Sequence, residues 1–574
     1  MPLTKIASRL AHAALTSFSL GNGGRSFDTS TIPSFFVRLQ TNLLPQNAWG
    51  SHTPTFTRAT TAYQTDFEGK LNAVLSGEAR FQGARRVRNL LTFTEAFQNA
   101  AWQKLTAGTG VTPVVTDAYA AGQDGTITAS RIQFNLGGTP ATAVSRIFQG
   151  AYFNVNNLFL STIWIKSNTG STQNLYMTDG NGGNNHLITV TTAWRRLSYI
   201  ATAVTGATGQ IQLGLDGSLG TDNTADILVW HPQVEAVLGQ TNQNPSEYVS
   251  VGVASAPYFG AGVDGVQYFT TLNGNTVASN VVTEATGAAI TSAQAAAAGG
   301  VTAGVVDAKG PLGEITEQAA TQYLGVTSTP ATQTTASLGT GTYTLWIATG
   351  DTGSATSSAG TATITGGGAA TTGSPNTFTV TVAGTVTVTV AGTVSFFQLE
   401  GGSIVSSRIT NTGAAGTSVT RNKDVDQYVS SGNIASTMSG TMQITPSTAL
   451  GSATVFHFGT YVDASNYTAV LSDGTNLIAR KRIGGTNHDA TIAWTRTAGT
   501  VAKVGWRFDT VNGSDIFLNG TKGTVDATLT AAQIGTNFQI GGDGNSANQD
   551  YCEHRLFNAY PTALSAAKLQ AMTT

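Results

Sequence analysis

Apolar and polar positions along this chain trade places in short runs. Ser145-Arg-Ile-Phe, Phe159-Leu-Ser-Thr-Ile-Trp-Ile, Leu175-Tyr-Met-Thr, Trp194-Arg-Arg-Leu-Ser-Tyr-Ile, Gln210-Ile-Gln-Leu-Gly-Leu and Ile227-Leu-Val-Trp230 alternate or run apolar over strand length. Asp179-Gly-Asn-Gly-Gly and Asp216-Gly-Ser lie between them and carry the residues that tight turns require. Further on, Thr377-Phe-Thr-Val-Thr-Val and Thr385-Val-Thr-Val-Thr-Val alternate strictly. From about residue 424 the runs become richer in aromatic residues, as in Thr454-Val-Phe-His-Phe-Gly, Asn466-Tyr-Thr-Ala-Val-Leu, Val504-Gly-Trp506-Arg-Phe-Asp and Asp515-Ile-Phe-Leu-Asn519-Gly. Helical spacing shows twice. Ile6, Leu10 and Leu15 predict a short amphipathic helix over residues 4–17, marginal on its own in water. Leu564-Ser-Ala-Ala-Lys-Leu-Gln-Ala predicts a terminal helix with Ser565 as N-cap.

One phrase occurs twice. Asp226-Ile-Leu-Val-Trp-His-Pro-Gln233-Val-Glu235 and Thr393-Val-Ser-Phe-Phe-Gln398-Leu-Glu400 are apolar strands ending in Gln-x-Glu, each followed by a polar corner (245–248 and 406–409). Upstream of each stands a second matching strand, Leu160-Ser-Thr-Ile-Trp164 and Thr342-Tyr-Thr-Leu-Trp346. A repeat on this scale is too long for a solenoid and reads as duplication of a whole β-domain. The glutamines and glutamates are expected to hydrogen-bond the backbone of the neighbouring corner, because buried loop amides need partners.

A length of 574 residues suggests three or four domains of about 150 residues. Only 10% of residues are charged, against about 25% in an ordinary soluble protein. At 40% hydrophobic the chain still has material for cores, so low charge does not mean disorder. A net charge of -2 gives no field for a nucleic acid. The local exception is Arg80, Arg85, Arg86 and Arg88, read as an ionic contact within an assembly. A single cysteine, Cys552, excludes an intrachain disulfide framework. No apolar run reaches the ~18 residues of a membrane span, so no membrane insertion is expected. Arg9 and His12 interrupt the apolar N-terminal stretch, which argues against a signal peptide.

Pro54-Thr-Phe-Thr-Arg-Ala-Thr, Gly77-Glu-Ala-Arg80-Phe, Arg88-Asn-Leu-Leu91 and Phe97-Gln-Asn-Ala-Ala-Trp102 follow in order. This resembles the lead-in of many tailed-bacteriophage structural proteins, where it opens a jelly-roll module like those of carbohydrate-binding proteins. The resemblance covers about residues 54–250. It recurs weakly near 310–324, where Gln322 and Tyr323 replace the usual Asn-Leu. Ile516-Phe-Leu-Asn519-Gly and the terminal Leu-Ser-x-x-x-Leu resemble a concanavalin A-like, laminin-G-type sandwich. The resemblances imply an all-β chain of tandem β-sandwiches with a short N-terminal helical and loop arm. The expected division is a docking arm at 1–53, lead-in and first jelly roll at 54–252, and a linker at 253–310. A shorter second jelly roll at 311–423 and a concanavalin A-like sandwich at 424–574 complete it.

Catalytic patterns are missing. Glycosidases need two carboxylates flanking the sugar, yet beyond Glu400 the only glutamate is Glu553. The seven histidines show no metal-ligand spacing. Neither an enzyme, a metal nor another cofactor is expected. Binding is the expected activity, with Tyr467, His488 and Asp489 as the glycan-contacting residues; the tryptophans, mostly mid-strand, are assigned to the core. The family resemblance implies a virion-surface appendage, a tail or head fibre. It would be homotrimeric, docked on other virion proteins by its N-terminal arm and directed at host cell-surface polysaccharide. Two alternatives stand beside it: a capsid or tail decoration protein, and a secreted glycan-binding or glycan-active protein.

Overall fold

The computed structural model describes residues 33–48, 54–65, 71–138, 141–150, 158–178, 185–201, 210–237, 243–253, 260–269, 281–283, 313–327, 329–348, 361–364, 368–371, 374–392, 394–446 and 454–574. They form three β-sandwiches, antiparallel but for the pairing of Val281–Thr283 with Arg195–Ala201, with one α-helix among the described residues, Ala566–Met572. Its N-cap is Ser565, whose hydroxyl accepts from the Lys568 amide at 3.3 Å, as the sequence predicts. The helix expected over 4–17 and most of the 253–310 linker lie outside the described residues.

In the first sandwich a six-stranded sheet runs Val281–Thr283, Arg195–Ala201, Phe159–Ser167, Thr224–Ala236, Ile127–Asn135, Val111–Ala121. A five-stranded sheet opposes it, and Ile132, Ile147, Phe159, Ile163, Leu175, Leu213 and Ile227 fill the space between. The second sandwich is smaller, with sheets of five and four strands over Leu324, Leu345, Ile347, Phe397 and Leu399.

The third sandwich departs from the expected linear order. Its core gathers Phe458, Trp506, Phe538 and Phe557 from the C-terminal part, but also Phe35, Val37, Leu39, Leu43, Phe81 and Tyr268. Phe35–Val37 pairs with 557–559, Thr55–Thr57 pairs with 425–427, and Gly313–Thr316 lies between 81–82 and 552–554. Phe35 is 0% exposed and meets Tyr428, Phe538 and Phe557 edge-on at 4.7, 5.1 and 6.0 Å. From residue 33 on, the described chain therefore begins in this sandwich, leaves to build the first jelly roll, returns, leaves to build the second, and returns again. Residues 33–48 are not part of a free arm, and 54–88 are not only a preface to the first jelly roll. Short runs such as Phe35-Phe-Val carry too little pattern to name their partner strand, which lies at the far end of the chain.

The crossings meet at a buried ionic knot. Arg80, 0% exposed, donates to Glu317 at 2.9 Å and to Asp424; Arg58 donates to Asp424 at 2.8 Å, and Arg421 approaches Glu317 at 3.2 Å. Ser407, from the corner of the second sandwich, bonds Arg80 and Glu317 as well. Burial alone would raise the Asp424 carboxyl, but Arg80, Arg58 and Arg421 outweigh it and hold it below the usual range. A buried charge left without its partner costs about 3–5 kcal/mol, so the knot fixes how the three crossings sit together.

Candidate binding face

The Gln-x-Glu ends bond their corners as their spacing implies. Gln233 accepts from the Val249 amide at 2.7 Å and Glu235 from the Ser246 amide at 3.2 Å. Gln398 accepts from Ile409 at 2.7 Å and Glu400 from Ser406 at 2.9 Å. Burial raises both glutamates above the ordinary carboxylate value, against the pull of these bonds. The match of the two tryptophan strands, however, is displaced by two residues. Thr162 stands opposite Gln233 in the first sandwich, whereas Trp346 stands opposite Gln398 in the second. Trp346 points its indole N–H at Glu400, 2.9 Å away. Trp164 is instead opposite Trp230.

A bulge brings Trp230, rather than His231, opposite Trp164. Between the pairs Thr162–Gln233 and Trp164–Trp230 the strand Thr224–Ala236 carries two residues, His231 and Pro232, against one on its partner. His231 has φ 50°, a left-handed conformation uncommon outside glycine though histidine adopts it more readily than most, and bulges of this kind re-aim side chains. Its imidazole stacks between Trp230 at 3.4 Å and Tyr248 at 3.5 Å. Burial lowers its pKa against the opposing pull of Glu95.

Across the outer side of the six-stranded sheet, strand register lines up three rows. Trp164 and Trp230 form the first, with rings 6.1 Å apart, and Trp194 lies 6.3 Å from Trp230. Trp164 and Trp194 are half-buried rather than core. Trp230 is 6% exposed, fixed by Thr128 at 2.8 Å and roofed by Gly122, where a Cβ would come within 2.5 Å of the indole. The second row is cationic: Lys166 lies 5.4 Å from the Trp194 ring, and Arg131 lies 5.0 Å over Tyr119, with Leu228 between the two cations. The third row opens into a groove of about 450 Å³ lined by Val114, Gln133, Asn135, Thr169, Gln173 and Asp226, among others. An aromatic shelf, a cation row and an amide- and hydroxyl-lined groove thus follow one another on one sheet. Sequence reasoning misses this face because mid-strand tryptophans look like core until the register and bulge are known.

Of the residues expected to contact glycan, Tyr467 and Asp489 share one sheet side and His488 lies on the other. Tyr467 lies on the sheet side that also carries Ala469 and Arg480, and Asp489 is opposite Arg480, held by it at 2.8 and 2.7 Å. His488 is opposite Lys481, on the other side, bonded to Thr528 at 2.8 Å. Strand alternation separates them: neighbours in sequence point to opposite faces. Three of the four clustered arginines are absorbed internally. Arg80 belongs to the ionic knot; Arg86 grips Glu78 at 2.6 and 2.7 Å, where Tyr268 also donates. Arg85 pairs with Glu247 and lies 4.7 Å over Phe269, and Arg88 is exposed.

A buried polar hub also forms in the third sandwich. His457 lies 2.7 Å from Asp550 through Nδ1 and 2.8 Å from the Ser472 hydroxyl through Nε2. The Asp550 carboxylate is further met by Thr316 and by His554 at 3.1 Å. His457, Asp550 and Cys552 bring donor atoms within 4.8 Å of one another, which is within the reach of a metal ion. Ser472 is 1% exposed and His457 0%, and Arg496 takes a further side of the Ser472 hydroxyl at 3.1 Å. The serine–histidine–aspartate order is therefore buried, and it joins strands and loops from distant parts of the chain.

No family model and no curated protein matches the chain. Among solved structures, domain 4 of an extracellular arabinanase from Geobacillus stearothermophilus, in complex with arabinotriose, is similar at 14% identity and TM-score 0.24. That match covers 30% of this chain and 88% of that one. The CBM40 domain of the IT-sialidase of Ruminococcus gnavus, bound to α2,6-sialyllactose, is similar at 12% identity and TM-score 0.23, over 26% and 92%. A pentraxin from Limulus polyphemus follows at 15% and 0.20, over 24% and 70%.

Proposed function

We propose that the chain is a glycan-binding virion protein of a tailed phage, an appendage that presents its first sandwich to host-surface polysaccharide. The observation that carries the binding part is the outer sheet face, with Trp164 and Trp194 beside a polar groove. Pyranose rings stack on aromatic faces through their C–H bonds, while amides and hydroxyls in a cleft fix orientation. The lead-in resemblance supports the virion setting, and the charge-poor surface fits it. The binding face moves from the third sandwich to the first, because His488 is turned away from Tyr467 and Asp489. Binding without turnover is proposed: Glu235 and Glu400 are both engaged by their corners. Assembly as a homotrimer would raise a weak single-site affinity by about 10²–10⁴ in avidity.

The test is adsorption. Purified full-length protein should bind host cells and compete with phage, and the W164A/W194A double variant should lose both effects while unfolding like wild type. Light scattering should give three copies per particle. A decoration role is favoured in one respect: the edge strand Val111–Ala121 exposes Val111, Val114 and Tyr119, a row a neighbouring subunit would cover. Stabilisation of particles without cell binding would select that reading.

A further inference from the structure

Taking the glycan-binding reading as its basis, we infer that the sugar held on this face is acidic, with its anionic group set on Lys166 and its ring on Trp194. Lys166 sits in the middle of the sheet's outer side, cross-strand from Leu228 and 5.4 Å from the Trp194 ring. Among the described residues no carboxylate lies within ion-pair range of it. The carboxylate of the adjoining row, Asp226, is already occupied: Arg131 donates to it through Nε at 2.9 Å and through Nη2, and Asn168 at 3.1 Å. The Arg131–Asp226 pair is thus neutral as a unit, which leaves Lys166 as the uncompensated cation of the row. Leu228, its cross-strand neighbour, is 2% exposed, so the lysine stands between an apolar side chain and an indole. A pyranose stacked on Trp194 places ring substituents at its rim, within reach of that ammonium; a carboxylate there gains a charge-assisted bond that a hydroxymethyl group does not. The whole chain carries a net charge of -2, so general attraction to polyanions does not supply the preference.

The experiment uses the full-length protein on an array of acidic bacterial polysaccharides, each spotted beside its carboxyl-reduced counterpart. Wild type should bind at least one acidic member, bind its reduced counterpart measurably but more weakly, and lose that preference as salt rises. K166Q should weaken binding to that member roughly tenfold or more and leave its reduced counterpart unchanged, with K166R restoring much of the affinity. W194A should lower binding to both. Equal binding to the acidic and reduced forms, with K166Q unchanged, would overturn the acidic assignment and leave glycan binding standing. Failure of wild type to bind any member would overturn both readings.

Discussion

Gln322 does in the second sandwich what Asn89 does in the first. Asn89 accepts from the amides of Leu91 and Val234, each at 3.1 Å, and donates to the Pro232 carbonyl at 3.0 Å. Gln322 accepts from the amides of Leu324 and Leu399 at 3.0 and 2.8 Å and donates to the Phe397 carbonyl at 3.1 Å. Val234 and Leu399 each follow, and Pro232 and Phe397 each precede, the glutamine of the Gln-x-Glu phrase. The replacement of asparagine by glutamine, a divergence in sequence, keeps the clasp with a longer side chain.

Removing either clasp should destabilise its own sandwich. Q322A leaves two buried amides and a carbonyl without partners, at about 1–3 kcal/mol for each unmet bond and less where water enters. Denaturant unfolding followed by hydrogen exchange should show early loss of protection at 320–324 and 396–401, with the first sandwich unaffected. N89A should show the reverse pattern.

The ionic knot should resist single substitutions poorly. D424N removes the shared partner of Arg58 and Arg80 and should cost about 3–5 kcal/mol, read as a lowered unfolding midpoint. Replacing Arg80, Glu317 and Asp424 together by apolar residues should cost less than D424N alone, since fewer charges are then stranded.

The third sandwich should need its distant segments. F35A removes a fully buried ring and should cost about 3–5 kcal/mol. A fragment of residues 424–574 lacks the strands Phe35–Val37, Thr55–Thr57 and Gly313–Thr316 and should fail to fold cooperatively by circular dichroism and heat denaturation. A sharp two-state melt of that fragment would contradict the observed pairing.

Glu553 should make stability depend on pH. Burial, reinforced by Glu317 and opposed by Arg555, pushes its carboxyl up to about 7. Between about 4.5 and 7 the folded state then holds a proton that the unfolded state has lost, so this group's contribution falls as pH rises through that window. E553Q should remove the dependence: relative to the variant, wild type should lose about 2–3 kcal/mol between about pH 4 and pH 8. Parallel thermal melts of the two proteins across that range measure the difference.

Much of the architecture is legible in the sequence because it is local. Two-residue alternation, turn residues and the Ser565 cap report strands, hairpins and the last helix without reference to distant partners. The repeat is legible for the same reason: Gln233 with Glu235 and Gln398 with Glu400 each answer a corner only a short way downstream, so spacing alone implies the contact. Other features depend on pairing between distant segments. Phe35 pairs with Ala559 through backbone bonds that carry no sequence signature, so the interleaving of the sandwiches cannot be read from order along the chain. Arg80 looks like a surface cation until Glu317 and Asp424 close around it. Trp164 and Trp230 come together because a left-handed His231 shifts the register by one residue, and strand periodicity cannot anticipate a bulge. His488 is parted from Tyr467 and Asp489 for the converse reason: polar loop-flanking residues suggest a common surface, but the side each one faces is set by its strand's register, which only the folded sheet decides.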